Sequence, residues 1–235
     1  MQRRQFLQSS LLLGATLPSL VACIGSDGAS DASVQPPPPG GGGTPSSREV
    51  DALLATNAFP YGVASGDPDA DKLILWTALK PLNADVASIP LRLEYVLSAQ
   101  RLAKESDWAA LFTTTAVRTL GTFLALKARD YTVKIDLGNV ALYQGTRFAE
   151  GTMTALPAGQ FVYYRFVAGS QPSRIGRART QPSGVAATTA NFAVASCSNL
   201  PEGFFSVYDM ISQEDHLDFV VHLGDYLYEY GEDEY

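Results

Sequence analysis

The sequence of 235 residues is short of cysteine, of positive charge, of long apolar runs and of helix-like text. Its two cysteines, Cys23 and Cys197, stand in such different surroundings that a mutual disulfide is not expected, so no disulfide framework organises the fold. Seventeen basic residues against 24 acidic ones give a net charge of −7. That balance leaves no basic footprint for nucleic acid and repels phosphate-rich partners, so an anionic substrate needs metal ions or local arginines. No internal repeat at a fixed period is present. What the chain does have is 46% hydrophobic and 10% aromatic content, enough to bury real cores in one large or two modest domains.

Residues 1–23, MQRRQFLQSSLLLGATLPSLVAC, read as an address rather than as structure. Arg3 and Arg4 followed by Gln5, Phe6 and Leu7 have the form of a twin-arginine signal, whose export machinery carries proteins across already folded. A generic secretory signal with two basic residues is the alternative. The apolar stretch from Leu11 to Ala22 is interrupted by Gly14 and Pro18 and is too short to remain as a membrane-spanning helix. Leu20-Val21-Ala22-Cys23 looks like a bacterial lipobox, in which cleavage before Cys23 leaves a thiol to carry a membrane-anchoring lipid. An ordinary small-residue cleavage site that includes a cysteine is the alternative there. Residues 24–50 follow, with four prolines from Pro36 and four glycines from Gly40. Such text cannot bury a core and reads as a tether, stiff and then floppy. The expected location is therefore the periplasm or cell envelope, with a lipid anchor.

Residues 58–184 show period-2 alternation bounded by Gly, Pro, Asn and Asp. Leu91, Leu93, Tyr95 and Leu97 fall on one face of a strand, as do Tyr131, Val133, Ile135 and Leu137, while residues 72–79 and 160–169 supply further strands. Helix-like text is confined to residues 50–56 and the neighbourhood of 107–110. The pattern predicts an antiparallel all-β sandwich. Arg165, Arg174, Arg177 and Arg179 cluster beside strand ends, where surface ion pairs are the ordinary outcome and phosphate binding the sharper one.

The character changes over residues 190–235. NFAVASC, 191–197, is a continuous apolar run expected of a strand buried on both faces of a parallel sheet, and LDFVVHLGD, 217–225, is a second. Between them FFSVYDMISQED can form an amphipathic helix with Phe205, Tyr208, Met210 and Ile211 toward its buried side. Strand, helix and strand make a βαβ unit, so Cys197 and Asp225 emerge at the same carboxyl edge of the sheet. Tyr228 lies three residues on, within reach of a turn. A thiolate, a carboxylate and a phenolate at one point repel one another, and a hard cation such as Fe³⁺ relieves that repulsion. The residues alone equally admit a buried cysteine, a Gly-Asp turn and tyrosines covering a core. His222, inside the apolar run, reads as a core or supporting residue, and His216 as helix-terminal surface.

Four blocks, residues 59–79, 163–182, 191–211 and 217–231, together resemble the alkaline phosphatase D family of exported metallophosphatases. The resemblance implies a fibronectin-like β-sandwich followed by the first βαβ unit of an α/β, calcineurin-like metallophosphoesterase domain. It implies Fe³⁺ and Ca²⁺ as cofactors and hydrolysis of phosphomonoesters and, in some members, phosphodiesters at alkaline pH. Cys197 and Tyr228 become iron ligands and Asp225 a carboxylate that can bridge iron to calcium. Ordinary metallophosphoesterases place Asp-x-His at the first strand end, as a purple acid phosphatase would, and here stand Cys197, Ser198 and Asn199. The metals would activate water, so no serine nucleophile is required. The family's later motifs are not in the 235 residues, so the reading is of a truncated chain, inactive alone. The competing reading is a lipid-anchored β-sandwich that serves as a binding module, with a remnant phosphatase segment behind it.

Overall fold

The computed structural model describes residues 45–103, 105–141, 151–184 and 189–228. Arg3, Arg4, Cys23 and the Pro/Gly run of 36–43 lie outside them, so the export signal, the lipid site and most of the tether have no structural counterpart here. Among the described residues no helix is long and apolar enough to cross a membrane.

Helical structure is present at residues 47–51, capped by Ser46, inside and just past the stretch expected to be tether. Ser46 and Glu49 form a reciprocal capping box for helix α1 (Ser47–Asp51), which satisfies two backbone donors of its first turn. Val50 of that turn is buried, and the Asp51 carboxylate accepts from the Ser170 amide at 2.8 Å. The helix is therefore part of the folded body and starts three residues earlier than hydrophobic spacing alone suggests.

Two sheets share one core. Strands β1 (Val63–Gly66), β2 (Leu73–Ala78) and β5 (Thr132–Leu137) form a three-stranded antiparallel sheet in the order β1-β2-β5. The other sheet runs β4 (Arg118–Leu126), β3 (Ser88–Ser98), β6 (Phe161–Ala168) and β7 (Gln171–Pro172), with β8 (Gly176–Arg179) also pairing with β6. Leu73 and Leu75 of β2 and Val133, Ile135 and Leu137 of β5 meet Leu91, Leu93, Tyr95, Leu120, Val162, Tyr164 and Phe166 from the facing sheet. The alternation legible in β3 and β5 thus separates core from surface, because each side chain on a strand points opposite to the next.

Strand β6 departs from that rule, being apolar and buried almost throughout. The reason is a second layer over its outer face, made by residues 101–103 and 105–112 with the helix α2 (Glu105–Leu111). Tyr163 is fully buried there, its ring 5.6 Å from that of Trp108 and its hydroxyl accepting from the Leu102 amide at 2.6 Å. The arginines of this region are engaged on the same side. Arg165 pairs with the buried Glu94 at 2.7 Å and lies over Phe112, and Arg177 lies over Trp108. Gly176 is where β8 passes closest to the core, and an added Cβ would run into the buried ring of Tyr164.

The last described segment is a parallel pair, β9 (Phe192–Ala195) with β10 (Phe219–His222), in register Phe192 to Phe219 through Ala195 to His222. Two short helices lie between them in sequence, α3 (Leu200–Gly203) and α4 (Ser206–Ser212). Phe204 and Phe205 both take left-handed backbone angles, φ 51 and 56°, so the helix expected from Phe204 begins only at Ser206, and the short α3 before it is an element the sequence pattern did not predict. Burial also differs from expectation. Met210 is exposed, and Phe192 and Val194 of the strand expected to be covered on both faces are about half exposed, because among the described residues nothing packs across that side of the pair.

The pair is fastened to the sandwich through Asp218. Its carboxylate bonds to Arg101 and to Arg179 at 3.2 Å, and accepts from the Asn191 amide at 3.0 Å. Burial alone would raise the pKa of this carboxyl, but the Asn191 amide and the two guanidinium groups outweigh it and hold it below the usual carboxylate range. A depressed pKa stabilises the fold fully above the ordinary carboxylate range, and the contribution disappears as pH falls through the folded-state value. Acidification, or Asp218→Asn at neutral pH, is therefore expected to raise amide exchange in residues 191–222, corrected for intrinsic rates, while β3 and β6 keep their protection. Unchanged exchange in Asp218→Asn would refute the clamp. In the core, Phe166→Ala is expected to cost about 3–5 kcal/mol in urea unfolding; a loss below about 1 kcal/mol would show that the two sheets do not depend on this contact.

Candidate metal centre

Parallel pairing decides what meets at the carboxyl edge of β9 and β10. Ala195 and His222 are partners, so the loops that leave both strands start side by side. The ladder then continues irregularly between the loops. The Leu223 amide donates to the Ala195 carbonyl at 2.9 Å, Cys197 to Gly224 at 3.4 Å, Ser198 to Asp225 at 3.2 Å and Tyr228 to Ser198 at 3.0 Å. An isolated parallel bridge between Asn199 and Tyr228 closes the stitching.

Within this frame Cys197 and Asp225 both adopt left-handed backbone angles, φ 54 and 47°, and Gly224 sits at 115°, a region that favours glycine. Such angles in residues other than glycine cost about 1–3 kcal/mol each and persist only where the surroundings hold them. Their consequence is convergence. The Cys197 thiol lies 3.6 Å from Asp225 Oδ2, and the Tyr228 hydroxyl bonds to both side chains. The Tyr228 phenol is held far above its ordinary pKa, first by its hydrogen bond to Asp225, next by that to Cys197, and further by the negative charges that would face a phenolate.

The donor set fits a cation. Three acids of different hardness meet at an exposed edge where hydrogen bonds to the Asp225 and Cys197 side chains disfavour a phenolate, and a bound positive charge would favour it. Among the described residues no three His, Cys, Asp or Glu side chains cluster, and the third donor at this edge is a phenol. Cys197 is a free, exposed thiol. Asn199, in the position where ordinary metallophosphoesterases carry histidine, has a buried Oδ1 with no hydrogen-bond partner.

His222 lies close by and is engaged elsewhere. Its Nδ1 accepts from the Gly224 amide at 3.3 Å and its Nε2 is 2.8 Å from the Tyr208 hydroxyl. Tyr208, which helical spacing marks only as a buried-face residue of α4, is thus brought to the loop that carries Asp225. The arginine cluster is not at this edge. Arg177 and Arg179 line a cleft of about 710 Å³ with Ser65, Asp67 and Asp218, which contains none of Cys197, Asp225 or Tyr228.

Comparison with known proteins places this arrangement. The N-terminal domain of PhoD-like phosphatases matches residues 44–182, and the PhoD-like phosphatase domain matches residues 192–235. The chain belongs to the PhoD-like phosphatase family. Alkaline phosphatase D of Bacillus subtilis (strain 168) is 33% identical over 190 residues, which are 80% of this chain and 28% of that protein. A solved structure of PhoD superposes with a TM-score of 0.57 at 28% identity, covering 77% of this chain and 30% of the other. The chain therefore spans less than a third of the length of the relatives it matches.

Proposed function

We propose that this chain carries the first ligands of a metal-dependent phosphoester hydrolase, with Cys197, Asp225 and Tyr228 holding the cation. The observation that carries the reading is the meeting of thiol, carboxylate and phenol at one sheet edge, in a chain that belongs to a family of phosphatases. Fe³⁺ suits the phenol and thiol, and Asp225 has a second carboxylate oxygen for a hard ion such as Ca²⁺. When bound, such ions supply Lewis-acid polarisation of a phosphoryl group and lower the pKa of water, the requirements for hydrolysing a phosphomonoester or phosphodiester. Cys197 and Tyr228 release their protons to bind, so rising pH favours loading and accords with an alkaline working range.

In this reading residues 58–184 are a fibronectin-like sandwich that acts as scaffold, and residues 190–235 open the metallophosphoesterase domain as its first βαβ unit. The net negative surface would repel a phosphate ester, and the cations offset it locally. Arg3 and Arg4 direct twin-arginine export and Cys23 receives the lipid that anchors the protein to the cell envelope. A centre loaded in the cytoplasm must cross the membrane folded, which is the cargo that route accepts.

Loaded with Fe³⁺, the protein is expected to show a visible phenolate-to-iron absorption band that Tyr228→Phe abolishes. An iron-loaded, active protein without the band would overturn the tyrosinate assignment. In the full-length parent protein, Cys197→Ala is expected to lower p-nitrophenyl phosphate hydrolysis by about 100-fold or more, since even partners outside the ligand set commonly contribute 10–100-fold; near-normal turnover would remove Cys197 from the centre.

A further inference from the structure

We infer that His222 and Tyr208 form a relay of hydrogen bonds that grips the backbone on both sides of Asp225 and so positions Asp225 and Tyr228 for the cation. The direction of each bond follows from the groups themselves. The Gly224 amide can only donate, so His222 Nδ1, 3.3 Å away, is the acceptor and carries no proton. In a neutral imidazole the proton then resides on Nε2, which donates to the Tyr208 oxygen at 2.8 Å. That leaves the Tyr208 hydroxyl proton for the Tyr226 carbonyl at 3.2 Å. One acceptor, one donor and one hydroxyl account for the whole chain, with no group used twice in the same sense.

The endpoints matter more than the links. Gly224 and Tyr226 are the immediate neighbours of Asp225, whose left-handed angle of 47° is not one that an isolated aspartate prefers. Holding the amide before it and the carbonyl after it fixes the rotation of the intervening residue. Ring packing adds a second restraint: His222 meets Tyr226 edge-on at 4.9 Å, and Tyr208 stacks against Tyr226 at 5.7 Å. The relay also spans elements, since Tyr208 belongs to α4 and His222 to the end of β10. Both ring nitrogens of His222 are occupied by protein groups, which makes it a positioning residue rather than a ligand.

The geometric part stands on hydrogen bonds alone; its consequence for the cation rests on the reading under Proposed function. The test uses the full chain and two readouts, amide exchange of the metal-free protein and titration with Fe³⁺ followed through the phenolate band. His222→Phe keeps a ring and removes both polar links. It is expected to accelerate exchange of the Gly224 amide, leave Ala193 and Val221 protected, and weaken iron binding by about 10–100-fold, the usual effect of losing a partner that orients ligands. His222→Asn, whose side-chain oxygen can replace Nδ1, is expected to restore Gly224 protection and part of the affinity, and Tyr208→Phe to lose only the outer link. Wild-type affinity in His222→Phe, or a Gly224 amide that stays protected in it, would overturn the relay. Should the wild-type protein show no band with iron, the metal reading falls, and Gly224 exchange in His222→Phe still decides whether the relay exists.

Discussion

The centre depends on the parallel register of two four-residue strands. Because Ala195 stands opposite His222, the residues that follow each strand are neighbours, and the irregular ladder from Leu223 to Tyr228 can form. A shift of one residue would turn every side chain of one strand to the other face and separate Cys197 from Asp225. The left-handed angles at those two residues are consequences of the same frame. They are tolerated because backbone bonds on either side leave the loops few alternatives.

The sandwich contributes at a distance from the chemistry. Its core cluster contains no residue of the parallel pair, but Arg101 and Arg179 reach Asp218 at the entrance to β10. Asp218 begins the segment whose far end is Asp225. One residue, bonded to two guanidinium groups and to the Asn191 amide, therefore sets where the segment that leads to Asp225 starts. Of the arginines near strand ends for which phosphate binding is the sharper role, Arg179 is engaged in this ion pair.

Much of this was legible in the sequence because it is local. Alternation at Leu91, Leu93 and Tyr95 fixes the core face of β3, and apolar runs ending in Cys197 and Asp225 put both residues at strand ends. The start of α1 could also have been read, since Ser46 and Glu49 have the spacing of a capping box, but hydrophobic periodicity passed over it. What escaped was tertiary. Nothing around Tyr208 announces His222 as its partner, and the left-handed turn at Phe204 and Phe205, which delays the helix to Ser206, runs against residues with ordinary helix preferences. The continuous burial of β6 depends on Leu102 and Trp108 meeting Tyr163 on its outer face, a contact distant in sequence.

The exposed apolar side of β9 and β10 has a consequence of another kind. Phe192 and Phe219 stack in parallel planes at 5.2 Å on that surface, and neither strand carries the lysine or proline that commonly discourages unwanted pairing. An apolar surface of this kind is where another element or chain can pack, so a substitution at Phe192 or Phe219 would change what the pair can contact more than whether the sandwich, whose core contains neither residue, stays folded.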